Sequence, residues 1–383
     1  MVWENKSFGD CAELIGDTVQ PSETLGLPYI GLEHISQGQL SLLGFGKSDD
    51  VISAKSKFRK GDILFGKLRP YFRKVIIAPF DGLCSTDIWV VRAKSGTDQR
   101  YLYYWMASEE FVETASRASE GTKMPRAQWE FVEQIQQELP DEHEQRAIAG
   151  ILGALDDKIE LNRRMNATLE GMARAVFRRW FVENEEVGSW KTVKLSEICT
   201  TQYGYTASAS DISVGPKLLR ITDMNKEPWI VWADVPYCEI NEKEFEKYRL
   251  SLGDILVSRM ADPGKAGIVE EEVKAVFASY LVRLKFQNLA WSYFAYYFLR
   301  SDQYLEYANG AKSGSVQSGM NARVITDVNV SIPPDEKVTV FYESSKPLRN
   351  KIVANLKESR TLANLRDTLL PKLMRGEVRA RRP

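Results

Sequence analysis

The sequence predicts an α+β protein: two duplicated mixed α/β domains joined by a pair of long antiparallel coiled-coil helices. Three observations carry this expectation. The order of segments repeats across most of the 383 residues at an offset near 192. Each copy holds short β-type runs broken by Gly, Pro and Asp, such as Val75-Ile76-Ile77-Ala78 and Leu281-Val282-Arg283-Leu284. Each copy closes on a long stretch with core-type residues at alternating steps of four and three, the spacing of a coiled-coil seam.

The duplication rests on matches in register. Lys60-Gly61-Asp62-Ile63-Leu64 corresponds to Leu252-Gly253-Asp254-Ile255-Leu256, and Tyr101 to Met106 corresponds to Tyr293 to Phe298, both at an offset of 192. Pro140-Asp141-Glu142 returns as Pro334-Asp335-Glu336 at 194, and Lys158-Ile159 with Asn162 returns as Lys351-Ile352 with Asn355 at 193. Four matches in order, with so little drift, indicate a duplicated unit far longer than a solenoid repeat. The expected division is a first domain at 1–140, a central helix at 141–183, a second domain at 184–334, and a C-terminal helix with a basic tail at 335–383.

Within each copy the β-type runs lead into an aromatic-rich helix, around 99–116 and 290–308. Its clustered Tyr and Trp fall at helical spacing and read as core. A Gly/Ser/Thr loop follows, Ser119 to Lys123 or Lys312 to Ser315, then a short strand and the long helix. Asp141 after Pro140 is an N-cap candidate, with Glu144 completing a capping box. The first seam runs Ile148, Leu152, Leu155, Ile159, Asn162, Asn166, Leu169, Ala173, Val176 and Trp180. The second runs Leu348, Ile352, Asn355, Ser359, Leu362, then Leu365 or Arg366, Leu369 and Leu373, with Pro371 expected to kink or end the helix. Asn162 and Asn355 hold the same seam position; a polar residue there lowers stability and fixes register. Residues 148–180 would span ~50 Å at 1.5 Å per residue, or ~15 base pairs of duplex.

Composition narrows the function. Lys+Arg number 51 against 52 Asp+Glu, so bulk charge offers no general attraction to nucleic acid, although local patches can. No apolar run approaches the ~18 residues of a membrane span. The N-terminus lacks a basic start followed by an apolar stretch, so a cytoplasmic protein that does not associate with membranes is expected. The 4 Cys are scattered and the 2 His are isolated, so neither a disulfide scaffold nor a metal site is expected. Gly44 to Ser48 lacks the first Gly of a phosphate loop, and neither a nucleophile elbow nor a zinc-protease motif occurs. No catalytic residue is expected.

The binding signals lie in two kinds of loop. Lys67-Leu68-Arg69-Pro70-Tyr71-Phe72-Arg73-Lys74 sets four cations and two aromatics after Gly-Asp-Ile-Leu. Its counterpart supplies Ser258, Arg259 and Lys265. The Gly/Ser/Thr loops supply Thr122, Lys123 and Arg126 in one copy and Ser313, Ser315, Gln317 and Asn321 in the other. Lys and Arg suit phosphates, Arg and Asn reach base edges, and small residues let backbone approach DNA. The tail from Arg375 to Arg382 is basic, either a phosphate contact or a frayed end. A two-headed adaptor that binds no DNA is the alternative reading, and an autonomous nuclease or methyltransferase a third.

Taken together, these features resemble the specificity (S) subunit of type I restriction-modification systems. The resemblance covers the whole length. It rests on Gly-Asp-Ile-Leu followed by a cationic segment in each half, on the Gly-Thr/Ser loops, and on the helix opening Leu139-Pro140-x-x-x-Glu144-Gln145-x-x-Ile148. The ending Leu369-Leu370-Pro371-Lys372-Leu373-Met374-Arg375-Gly376-Glu377 also resembles that family. The second copy departs at Lys337 to Phe341, where Glu-Gln-Arg-x-Ile is expected. The resemblance implies two target recognition domains, each reading half of a bipartite double-stranded DNA sequence, with the paired helices setting the gap. It implies no catalysis and no cofactor in this subunit. It implies two adenine methyltransferase subunits using S-adenosylmethionine, and two motor-nuclease subunits using ATP and Mg2+ where the complex cleaves.

Overall fold

A computed structural model of the chain describes residues 3–117, 119–120, 123–224, 227–260, 262–313 and 319–380. The chain divides into two compact units, Met1–Leu161 with Glu358–Pro383, and Asn162–Lys357. Two 40-residue helices, the central helix Glu142–Phe181 and the C-terminal helix Asp335–Met374, each contribute one part to each unit.

The duplication is plain in the strand topology. In the first unit Glu4–Ser7 pairs antiparallel with Gln136–Leu139, just before the central helix. In the second, Lys191–Lys194 pairs in the same way with Asn329–Ile332, just before the C-terminal helix. A four-stranded antiparallel sheet follows in each. Its order is Ala12–Leu14, Ile88–Ala93, Ile63–Gly66, Val75–Ile77 in the first unit, and Thr200–Tyr203, Leu281–Lys285, Ile255–Ser258, Ala266–Ile268 in the second. The copies diverge beyond this core. Among the described residues, a five-stranded sheet containing the parallel pair Pro28–Ile30 and Gly82–Cys84 completes the first unit. Among the described residues of the second, the parallel pair Lys217–Leu219 and Ala275–Phe277, with isolated bridges such as Lys217 to Tyr237, answers to it.

The shared Gly-Asp-Ile-Leu segment has a structural cause. Gly61 and Gly253 turn the chain at φ 92° and 82°, a region open to glycine. The following carboxylates then hold the turn: Asp62 accepts from the Arg59 N–H at 2.7 Å and Asp254 from the Ser251 N–H at 3.0 Å. Each also receives a guanidinium from the neighbouring strand, Arg92 at 2.6 Å and Arg283 at 3.3 Å. Ile63 and Ile255 then enter the central strand of each sheet fully buried.

The expected aromatic helix is two helices in each copy: Gln99–Ala107 with Glu109–Arg117, and Leu289–Phe298 with Asp302–Ser313. A serine makes each break. The Ser108 hydroxyl donates to the Trp105 carbonyl at 2.7 Å and accepts from the Phe111 N–H at 3.2 Å. Ser301, 193 positions on, does the same between Phe298 and Tyr304. Ser competes with helical backbone bonding and caps the next helix instead. The clustered aromatics are core, from Tyr101 to Trp105 and from Tyr293 to Phe298.

The long helices pair antiparallel. In the first unit Asp156 meets Arg366 at 2.7 Å and Lys158 meets Glu358 at 3.1 Å. In the second, Asn355 donates to Asn166 at 2.8 Å, Arg349 meets Glu170 at 2.6 Å, and the Phe177 and Phe341 rings lie 5.7 Å apart. Asn162 and Asn355 are fully buried and come together, the Asn162 amide donating to the Asn355 carbonyl at 3.5 Å. The seam departs from the heptad along the central helix. Glu170, Phe177 and Phe181 are buried, while Leu169, Val176 and Trp180 are only half-buried. An α-helix drifts ~20° per heptad against a 3.5-residue repeat, which moves the buried stripe by one position. On the partner helix the buried residue is Arg366, and Leu365 is exposed. The C-terminal helix runs one turn past Pro371 to Met374 and ends on Gly376 at φ 70°.

Each copy closes on a tryptophan with an ion pair. Trp3 donates to Glu144 at 3.0 Å, and Arg379 of the tail lies over the Trp3 ring and meets Glu144 at 3.2 Å. In the second unit Lys337 lies over Trp190 and pairs with Glu186. Glu144 and Lys337 are equivalent positions, 193 apart, and so are Glu186 and Arg379. The same closure is therefore built twice with its charges exchanged. Lys337, where the second copy departs from the Glu-Gln opening, has its reason here.

Candidate nucleic-acid interface

In each unit the two kinds of loop singled out by sequence are hydrogen-bonded to one another. In the first, the Ala127 N–H donates to the Lys67 carbonyl at 2.9 Å and the Arg69 N–H to the Pro125 carbonyl at 2.8 Å. In the second, the Met320 N–H donates to the Arg259 carbonyl at 2.8 Å. Segments separated by more than 50 residues thus form one surface at the end of the Gly-Asp-Ile-Leu strand.

The first surface is held under backbone strain. Arg69 and Arg73 bracket the short turn Pro70–Phe72 with φ of 51° and 48°, left-handed values that cost a non-glycine residue about 1 kcal/mol or more. The cations then divide. Arg69 and Lys123 are exposed and Lys67 is half-buried; among the described residues neither lysine ammonium has a hydrogen bond or ion pair. Arg69 makes only a long bond to the Lys123 carbonyl, 3.4 Å. Arg73, Lys74 and Arg126 are engaged by the protein. Arg73 donates to the Ala107 carbonyl at 2.7 Å and faces Asp367. Lys74 donates to the Leu32 carbonyl, and burial lowers its pKa. Arg126 forks onto Asp87 at 2.8 and 3.3 Å, and that hydrogen bond raises its pKa further. These three brace the loops that present the others. Thr122 lies outside the described residues.

In the second unit Ser258 is fully buried. Its hydroxyl donates to the Asp262 carbonyl and accepts from the Lys265 N–H at 3.1 Å, closing the turn rather than facing outward. Lys265 sits 3.9 Å from Asp262 in a loose pair. Asn321 caps the helix Ala322–Thr326 by accepting from the Val324 N–H at 2.9 Å. Arg259 lies over the Tyr203 ring, its guanidinium carbon 4.9 Å from the centroid. Ser315 and Gln317 lie outside the described residues, as does the side chain of Ser313.

Sequence reasoning counted Tyr71 among the aromatics of the first loop but named no apolar residue as a member of the site. Tyr71 and Met124 are about half exposed beside Arg69 and Lys123, and Tyr203 and Tyr280 are exposed beside Arg259. Cations interleaved with exposed rings suit phosphate contact combined with stacking or methyl contact at bases. The signal was present in Pro70-Tyr71-Phe72 and in Gln202-Tyr203-Gly204-Tyr205. Among the described residues no group of His, Cys, Asp and Glu could hold a metal, and no helix is long and apolar enough to cross a membrane.

Comparison with known proteins bears on the family and the fold. The family model described as type I restriction modification DNA specificity domain matches twice, over residues 2–171 and 188–358. The MjaIX specificity subunit of Methanocaldococcus jannaschii, a type I restriction enzyme component, is 24% identical, with 98% of this chain and 94% of that protein covered. The EcoDI specificity subunit of Escherichia coli is 30% identical over 48% of this chain and 45% of its own length. Among solved structures, the type I restriction-modification S subunit from M. genitalium aligns with a TM-score of 0.60 at 15% identity, over 97% of this chain and 96% of that one, a likeness of fold.

Proposed function

The chain belongs to the type I restriction modification DNA specificity family, and on that footing we propose that it is the DNA-reading subunit of such a complex. Each recognition domain, 1–140 and 184–334, binds one block of a bipartite double-stranded target. The helices 141–183 and 335–383 carry the spacing between the blocks and bind the partner subunits. The chain performs no chemistry. Two methyltransferase subunits supply adenine methylation from S-adenosylmethionine, and two motor-nuclease subunits supply ATP- and Mg2+-dependent cleavage where the complex restricts. The assembly works in the cytoplasm, where the DNA is.

The observation that carries this reading is the doubled surface: the same two loops are joined by backbone hydrogen bonds in both units. Duplicated geometry with different side chains fits two half-sites of different sequence. Lys67, Arg69 and Lys123 serve as the contacting cations of the first unit and Arg259 of the second, with Arg73, Lys74, Arg126 and Ser258 supporting the loops. Asn162 and Asn355 fix the helix register.

A salt titration of duplex binding tests the proposal. Each phosphate neutralised adds about −0.9 to the slope of log K against log salt, so a steep slope is expected. Binding of other proteins with no salt-sensitive affinity for DNA would favour the adaptor reading.

A further inference from the structure

We propose that Tyr203 is a positioning residue that holds Arg259 as a fixed arm for reading a guanine edge in the second block. The inference rests on the DNA-reading function proposed above and goes one residue deeper.

Four features place Arg259 apart from the other cations of the site. Its guanidinium lies over the Tyr203 ring at 4.9 Å. Its Nε is buried and has no hydrogen-bond partner, and the guanidinium as a whole forms no hydrogen bond or ion pair among the described residues. Its backbone is tied on both sides, the N–H to the Tyr280 carbonyl at 3.0 Å and the carbonyl to the Met320 N–H at 2.8 Å. Finally, its platform is itself fixed: Tyr203 ends a strand, paired with Val282, and its hydroxyl accepts the Ala322 N–H at 2.9 Å.

The functional consequence follows from what each contact requires. A phosphate accepts a mobile charge from many directions. A guanine edge, O6 with N7, requires a planar fork in one orientation. A ring face beneath the guanidinium restrains that plane while leaving the terminal N–H groups open. Arg73 and Arg126, by contrast, have donors committed to Ala107 and Asp87. Among the arginines named at this site, Arg259 alone combines this restraint with a guanidinium that no described residue engages by a hydrogen bond or ion pair. Gly319 keeps the arrangement close, since a Cβ there would lie 2.5 Å from the Met260 sulfur and 3.2 Å from the Arg259 carbonyl.

The test uses the full chain assembled with its methyltransferase subunits and reads the methylated motif at base resolution. Arg259→Ala is expected to relax one guanine position in one block, with discrimination there falling roughly five- to a hundredfold. Tyr203→Leu is expected to relax the same position and leave the other block intact, which also shows that the protein has folded. Tyr203→Phe keeps the ring and is expected to keep the motif. If Tyr203→Leu leaves the motif unchanged while Arg259→Ala relaxes it, the positioning role is wrong. If both variants slow methylation evenly with the motif intact, Arg259 is a phosphate contact and the proposal falls. If Tyr203→Leu loses all methylation, Tyr203→Phe decides: loss there too means that the hydroxyl anchor matters and the ring does not, against the proposal. A wild-type complex with no bipartite motif would instead overturn the DNA-reading function beneath it.

Discussion

Replacing Arg349 with alanine should destabilise the second unit more than any change at its surface. Arg349 is fully buried on the C-terminal helix. Its guanidinium donates to Glu270 at 2.7 Å, to Glu170 at 2.6 Å and to the Pro228 carbonyl at 3.0 Å, and it packs over the Tyr296 ring. Tyr297 and Tyr293 add hydroxyl donors at 3.2 Å to the same two carboxylates. Alanine would leave Glu270 without its cation and Glu170 with only Arg300, whose Nε lies 3.9 Å away; both carboxylates are under a tenth exposed. Breaking a buried pair in this way typically costs 3–5 kcal/mol. At ~2–4 °C per kcal/mol for a unit of this size, the melting temperature should fall by roughly 6–20 °C. Scanning calorimetry of the full chain would read the change. Replacing Arg349→Met together with Glu170→Gln and Glu270→Gln should recover most of the loss, because neither carboxylate is then charged and the remaining Arg300 is partly exposed. A loss below about 1 kcal/mol for Arg349→Ala, the range of exposed pairs, would refute the claim that this cluster fastens the helix to the unit.

Three further outcomes are expected. Arg69→Ala should relax the first block at a cost of ~1–3 kcal/mol and leave the second block unchanged, as read by competition binding with duplexes altered one block at a time. Ser108→Ala removes the cap of Glu109–Arg117 and should lower the unfolding free energy by about 1 kcal/mol in urea titration; no change would mean that the break is imposed by packing alone. Inserting four residues into 155–170 of the central helix and into its partner should lengthen the gap by ~6 Å, about two base pairs, at 1.5 Å per residue. Methylated sites at unchanged spacing would contradict the idea of helices that measure.

Much of the fold was legible because duplication leaves paired signals. Gly61 and Gly253, and Asn162 and Asn355, recur at offsets of 192 and 193 because each pair holds the same backbone turn or seam position. The serine breaks were missed although Ser108-Glu109 and Ser301-Asp302 carry a capping signal, because continuous aromatic spacing on both sides masked it. Arg349 and Glu170 were passed over because a charged residue inside a helix reads as solvent-facing until its partner from another element is known. The site was legible only as loops. Residue type could not separate Arg69 from Arg126, because the Asp87 that engages Arg126 stands 39 positions upstream. Nor could it show that Ser258 turns inward to its own loop or that Tyr203 lies under Arg259.

The most direct test of the account is to co-express this chain with the methyltransferase subunit of its own system and map methylated adenines across the host genome at single-base resolution. The account predicts one motif of two short specified blocks around an unspecified gap of fixed length, lost when the chain is omitted. A stable complex that methylates nothing, or methylates a single continuous block, would contradict the claim that the two units each read half of a divided target.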